Sequence, residues 1–149
     1  MKTKKVMGDA KAGCVFCEIA AHRIPAKIVF EDEISLAFLD HRPLFPGHVL
    51  LIPKAHYATL TELPADLVGP FFLNAQKLTG VVQSVMKAEG SFVAMNNVVS
   101  QSVPHLHVHI VPRTKGDGLR GFFWPRLKPG EEELVAVHGA LVDSRKIGG

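Results

Sequence analysis

The sequence predicts an α+β fold, an antiparallel sheet of about five strands packed with one long helix. Three observations lead there. Five short runs rich in aliphatic and aromatic residues are separated by turn residues. Only one long segment carries apolar residues at three- and four-residue steps. The links between these runs are mostly short, which favours antiparallel neighbours over crossovers. With 149 residues, 47% hydrophobic and 21% charged, the chain has the composition of one globular domain with a sizeable core.

Residues 14–21 suit one or two helical turns. Residues 27–31 and 34–39 read as strands parted by Asp32 and Glu33. Residues 42–47 hold Pro43, Pro46 and Gly47 and form a loop. Residues 48–52 are a near-continuous aliphatic run ended by Pro53, a buried central strand. Leu67, Val68, Phe71, Phe72, Ala75, Leu78, Val82, Val85 and Met86 make one apolar stripe, with Gly90 as its stop. Pro70 lies inside that pattern, so the main helix either starts near it, after a turn from Pro64, or kinks there. Residues 92–97 and 103–111 read as two further strands, 115–120 as a glycine-bearing loop and 131–142 as a helix. The organisation expected is a flexible basic arm over residues 1–13, a folded domain over 14–120 and a C-terminal extension over 121–149.

The net charge is +3 and the isoelectric point about 9.0, but Lys2, Lys4, Lys5 and Lys11 all sit in the arm. The remainder is close to neutral, which argues against nucleic-acid binding and suits a pocket for an anionic phosphate ester. No apolar run approaches the roughly 20 residues of a membrane span, and no apolar stretch follows the N-terminal lysines as in a secretory signal. Two cysteines do not make a disulfide framework, so a reducing cytoplasm is the expected compartment. Cys14 and Cys17, spaced C-x-x-C, are either buried thiols before a short helix or half of a zinc site. A thioredoxin-like redox pair fits less well, because no βαβ pattern follows.

The most informative run is Pro104-His105-Leu106-His107-Val108-His109-Ile110-Val111-Pro112-Arg113. On a strand, alternate residues point to opposite faces. Leu106, Val108 and Ile110 then enter a core while His105, His107 and His109 stand in a row, roughly 6 to 7 Å apart. A neutral imidazole is a nucleophile that a phosphate's negative charge does not repel, and free histidine titrates near 6.5. The central one, His107, is best placed to attack an α-phosphorus and form a nucleotidyl-histidine that water then hydrolyses.

This run, with Gln101-Ser102-Val103 before it, resembles the signature of the histidine triad family of nucleotide hydrolases and transferases. Cys14-Val15-Phe16-Cys17-Glu18-Ile19, Ile24-Pro25-Ala26-Lys27, Ala37-Phe38-Leu39-Asp40 and Pro46-Gly47-His48-Val49-Leu50-Leu51-Ile52-Pro53-Lys54 are similar to the family's upstream motifs in order and spacing. The resemblance spans residues 14–118 and implies a single histidine-triad domain that cleaves nucleoside phosphoramidates or dinucleoside polyphosphates, usually as a homodimer. It implies that His107 is the nucleophile, that His109 donates to the phosphate or leaving group, and that the carbonyl of His105 orients His107. His48 supports the site from behind. Asp40 takes the ribose hydroxyls, and Phe16, Ile19, Phe38 and Leu39 form a slot for the base, expected to be a purine. Gln101, Ser102 and either Asn96 or Asn97 border the phosphate or leaving group. Here the chain departs from its relatives, with Val98-Val99-Ser100 in place of a longer glycine-rich stretch.

Zinc-containing members pair a C-x-x-C with a histidine after Pro53 and with the first triad histidine, which implies a structural site of Cys14, Cys17, His56 and His105. The alternatives are nucleotidyl transfer, a nucleotide-binding signalling protein with slow turnover, and a catalytic zinc on all three triad histidines. His109 stands where related transferases carry glutamine, which favours hydrolysis. The soft thiolates of the C-x-x-C disfavour the catalytic zinc. Trp124, within Phe122-Phe123-Trp124-Pro125, suits packing in the core or between subunits, the alternative being a reach over the nucleotide site of this or a partner subunit.

Overall fold

The computed structural model describes residues 10–119 and 126–144. Two compact units divide between Asp117 and Gly118. The first contains helix α1 (Val15–Ala20), strands β1 (Ile28–Glu31), β2 (Ser35–Leu39) and β3 (Val49–Pro53), a 3-10 turn at Leu60–Glu62, helix α2 (Ala65–Val85), and strands β4 (Gly90–Ala94) and β5 (Val108–Arg113). The second contains helix α3 (Glu131–Asp143), none of whose residues is buried. Trp124, Phe122 and Phe123 lie outside the described residues.

The five strands form one antiparallel sheet in the order β1-β2-β3-β5-β4. β3 is buried along its whole length because both of its faces are covered. Alternation assigns each face its own core. Ala37, Val49, Leu51, Val108 and Ile110 pack with Phe71, Ala75, Leu78 and Val82 of α2. Leu36, Phe38, Leu50 and Ile52 point the other way and pack with Phe16, Ile19 and the two cysteines around α1.

Several expectations are corrected. The triad strand begins at Val108, not at 103, so only His109 of the three histidines is a ladder residue. Pro104 has no N–H, the N–H of His105 turns back to the carbonyl of Val103 (2.8 Å), and that of Leu106 goes to Tyr57 (2.7 Å), so the segment before β5 makes no ladder. Leu106 nevertheless joins the α2-side core with Val108 and Ile110, and the face assignment of the sequence pattern survives. Gly90 does not stop the long helix. The helix ends at Val85, Lys87 takes a left-handed φ of 52°, and Gly90 opens β4, which stops at Ala94 and leaves Asn96 and Asn97 in a loop.

The helix also runs unbroken from Ala65 through Pro70. Its stripe is rotated from the one expected, since Val68, Val85 and Met86 are exposed while Asn74 is buried. Asn74 earns that position through hydrogen bonds, its amide donating to Asp32 (2.7 Å) and Ser35 (2.8 Å). Among the described residues no helix is long and apolar enough to cross a membrane.

Candidate active site and metal centre

The site grows from the segment 105–109 on the α1 side of the sheet. His107 is 2% exposed, and its Nδ1–H donates to the carbonyl of His105 at 2.8 Å. A carbonyl cannot donate, so the tautomer is fixed and Nε2 keeps its lone pair. The Phe16 ring meets His107 edge-on at 5.1 Å, and the His109 ring lies 5.1 Å away, closer than an ideal strand spacing.

His109 is fixed by a second chain of bonds. The backbone N–H of Leu44 donates to Nδ1 of His48 (3.1 Å), so His48 carries its proton on Nε2 and donates it to Nδ1 of His109 (2.9 Å). His109 is left with an Nε2–H donor. Burial, reinforced by the neighbouring His107 and His48, pushes the His109 pKa down to about 4. Burial also lowers that of His48, against the opposing charge of Asp40.

Asp40 follows the end of β2. Its Oδ1 accepts the Arg42 N–H at 2.9 Å, and its Oδ2 lies 3.7 Å from His48 Nε2. Asp40, His48 and His109 bring donor atoms close enough for a cation. The hydrogen-bond chain argues against one there: His48 would have to move its proton to Nδ1, where the Leu44 N–H already points. Of the four residues expected to hold the base, Phe16, Ile19 and Phe38 are buried in the α1-side core and Leu39 is 40% exposed. Phe16 and Phe38 pack edge to face at 5.5 Å.

The 96–102 loop is held by its own side chains. Gln101 accepts the Val98 N–H (2.9 Å) and donates to the carbonyl of Ala58 (2.6 Å). Asn96 donates to the carbonyl of Ser100 (3.2 Å), and Asn97 accepts the Leu60 N–H (2.7 Å). Both ends of the Gln101 amide are thus committed, and Gln101 shapes the loop. Ser102 is exposed. Val98 and Ser100 adopt φ of 67° and 60°. For residues other than glycine such conformations cost about 1–3 kcal/mol each and persist only where surrounding bonds impose them.

Behind the triad, His105 is completely buried. Its Nε2–H donates to the carbonyl of Pro53 (2.8 Å), which turns the Nδ1 lone pair toward Cys14 Sγ (3.5 Å) and Cys17 Sγ (3.5 Å). His56 Nδ1 lies 3.2 Å from Cys17 Sγ. The four donor atoms lie within 4.8 Å of one another. A tetrahedral zinc with Zn–S of about 2.3 Å and Zn–N of about 2.0 Å sets sulfur and nitrogen about 3.5 Å apart. The observed separations are close to that edge, so the donor set and its geometry fit the metal. Burial pushes the Cys17 thiol up and the His105 pKa down to about 4. The second shift keeps the ligand nitrogen free; the first opposes a thiolate, and a coordinated cation reverses it.

The model of the HIT domain matches residues 21–116. The chain belongs to the histidine triad family. An uncharacterized HIT-like protein of Methanocaldococcus jannaschii is 43% identical to it over 70% of this chain and 82% of its own length. An adenosine 5'-monophosphoramidase of Candida albicans is 32% identical over 91% and 97%. The crystal structure of a zinc-bound histidine triad family protein from Mycobacterium smegmatis is 36% identical, covers 89% of this chain and 96% of its own, and superposes with a TM-score of 0.69. In this histidine triad protein His56 and His105 fall inside the matched domain, whereas Cys14 and Cys17 precede it. Sequence reasoning missed the groups that are main chain: the Leu44 N–H and the carbonyls of Pro53, Tyr57 and Ala58. No side-chain pattern signals them.

Proposed function

We propose that the protein is a nucleotide hydrolase. It cleaves at the α-phosphate of nucleoside phosphoramidates or dinucleoside polyphosphates through a nucleotidyl-His107 intermediate and releases a nucleoside monophosphate. The observation that carries this reading is the His107 Nδ1–H bond to the His105 carbonyl, which presents Nε2 as a nucleophile beside the His109 N–H. The relative named adenosine 5'-monophosphoramidase supports the phosphoramidate branch and an adenine base.

In the first step His107 Nε2 forms a bond to phosphorus as the phosphorus–leaving-group bond breaks and the leaving group takes up a proton from solvent. In the second, water replaces His107. His109 stays uncharged at neutral pH and donates its N–H to a phosphate oxygen or the leaving group. The carbonyl of His105 and the imidazole of His48 act as positioning groups. Asp40 accepts the ribose hydroxyls, Phe16, Ile19, Phe38 and Leu39 enclose the purine, and Asn96, Gln101 and Ser102 border the leaving-group side.

Cys14, Cys17, His56 and His105 would hold a structural zinc. Bound there, it ties α1 and the segment after β3 to the triad. We read residues 14–120 as the catalytic domain, 1–13 as a basic arm and 121–149 as an extension. We assign a homodimer to the β4 edge of the sheet, where Val93 is 45% exposed. The reduced cysteine pair suits a cytoplasmic setting.

The test is a panel of adenosine phosphoramidate, diadenosine tri- and tetraphosphate and their guanosine counterparts, run on wild type and His107→Asn. Acid quenching of wild type during turnover is expected to trap a nucleotide on His107. Wild-type turnover in His107→Asn refutes the covalent mechanism.

A further inference from the structure

The loop over 96–101 spends strain and four side-chain hydrogen bonds on an arrangement that leaves two aliphatic residues in water. Val98 is 75% exposed and Val99 78%, the most exposed large hydrophobic residues described in the first unit. A β-branched residue at a φ of 67° is held there against its own preference. The hold is specific: the Val98 N–H to the Gln101 side chain, the Gln101 amide onward to Ala58, and Asn97 to the Leu60 N–H. From Gln101 the chain passes through Val103, which packs on the core cluster containing Phe16 and Phe38, and enters the triad at His105. The hydrolase reading sets Asp40 and the base slot on the nucleoside side of His107, and the Cys14, Cys17 and His56 side chains gather at the His105 ring. The 96–101 loop, braced on residues 58–60 and running directly into the triad segment, carries Asn96 and Gln101, which the same reading sets on the leaving-group side.

The charge of that side is as informative as its shape. Residues 55–63 and 95–107 contain no lysine or arginine, and their one carboxylate is Glu62, which caps the Ala58 N–H at 2.9 Å. These two segments offer a departing polyphosphate no cation of their own, and a phosphate-binding surface needs one or more. Two exposed valines in an uncharged frame suit an uncharged organic group.

We infer that Val98 and Val99 form the rim of the leaving-group subsite and select nucleotide conjugates whose leaving group is an apolar amine over those whose leaving group is anionic. This inference rests on the hydrolase reading above and narrows its substrate class. In the reaction His107 Nε2 forms its bond to phosphorus as the phosphorus–nitrogen bond breaks, and the amine departs with a proton taken from solvent, its alkyl portion lying against the two valines.

The experiment compares three adenosine 5'-phosphoramidates by kcat/KM: the unsubstituted amide, an N-hexyl amide, and an N-carboxyalkyl amide of the same length. Wild type is expected to favour the hexyl over the carboxyalkyl conjugate by about tenfold or more, the scale on which apolar pockets discriminate. Val98→Ser with Val99→Ser is expected to bring that ratio to within about threefold of unity, and Val98→Lys with Val99→Lys to reverse it. Val98→Gly with Val99→Ala, which keeps the left-handed backbone without strain, is the second variant and is expected to lose the preference as the serine pair does. Circular dichroism checks that each variant folds. Turnover of the unsubstituted amide with a wild-type ratio near unity, or a ratio that the folded variants leave in place, overturns the rim. No turnover of any of the three by wild type overturns the hydrolase reading, and the rim with it.

Discussion

Removing zinc from the proposed site at Cys14, Cys17, His56 and His105 should destabilise the protein strongly and slow it only in part. The sulfur–nitrogen separations are 3.5, 3.5 and 3.2 Å, against about 3.5 Å on a zinc tetrahedron. The folded chain therefore already gathers the four donors that the proposed zinc needs, and the unfolded chain does not. A ligand held only by the native state at about a thousandfold above its Kd adds about 4 kcal/mol. For a chain of this size each kcal/mol moves Tm by roughly 2–4 °C, so chelation should lower Tm by about 10 °C. Cys17→Ser is the matching substitution, because Cys17 Sγ contacts both His56 and His105. That variant should purify without zinc, and its Tm should no longer respond to chelator. Turnover should persist at a reduced rate, because the group that orients His107 is the main-chain carbonyl of His105. The assays are elemental analysis of protein purified without chelator or added metal, thermal unfolding with and without chelator, and steady-state kinetics. Less than about a tenth of an equivalent of zinc in folded protein makes the cysteines buried thiols and refutes the reasoning. Complete loss of turnover along with the zinc refutes its structural role.

Three further outcomes are expected. Asp40→Ala should weaken nucleotide binding by about 1–3 kcal/mol and erase the preference for ribo- over dideoxynucleotides, measured by calorimetry on His107→Asn protein; equal affinity of that parent for both sugars makes Asp40 a turn residue only. His48→Phe removes the donor to His109 and strands the Leu44 N–H, so kcat should fall by about 10- to 100-fold with little change in KM. His48→Gln, which can restore an N–H donor, should recover part of it, and a loss of Tm with kcat preserved contradicts the tautomer argument. His109 stays neutral in the fold to about pH 4, whereas an unfolded histidine protonates near 6.5. The unfolded chain thus binds more protons between these values, so stability should fall as pH drops through that window, by up to about 3 kcal/mol from this group. Urea titrations of wild type and His109→Gln check it, the variant showing the smaller slope.

Period-two patterning carried much of the fold. It placed Leu106, Val108 and Ile110 in the core even though the backbone of the first two triad histidines is not strand. The long helix was legible from its stripe, but its rotation was not, because Asn74 is buried through partners that lie 42 and 39 residues before it. No local pattern reports such partners. The Cys14, Cys17, His56 and His105 set was proposed from the resemblance and is assembled by the fold. The tautomers of His107 and His109 could not be read, since they depend on one carbonyl and one N–H of the main chain.

His105 joins two duties through different parts of one residue. Its ring faces the cysteines and the Pro53 carbonyl, while its peptide oxygen faces His107. Every amino acid carries that oxygen. Substitution at Cys14, Cys17, His56 or the His105 ring would therefore remove the proposed metal site without erasing the carbonyl contact to His107, and the two halves of the proposed site are separable although they share a residue. The reverse does not hold: a change that turns the peptide at 105, such as a different residue at Pro104, disturbs both at once.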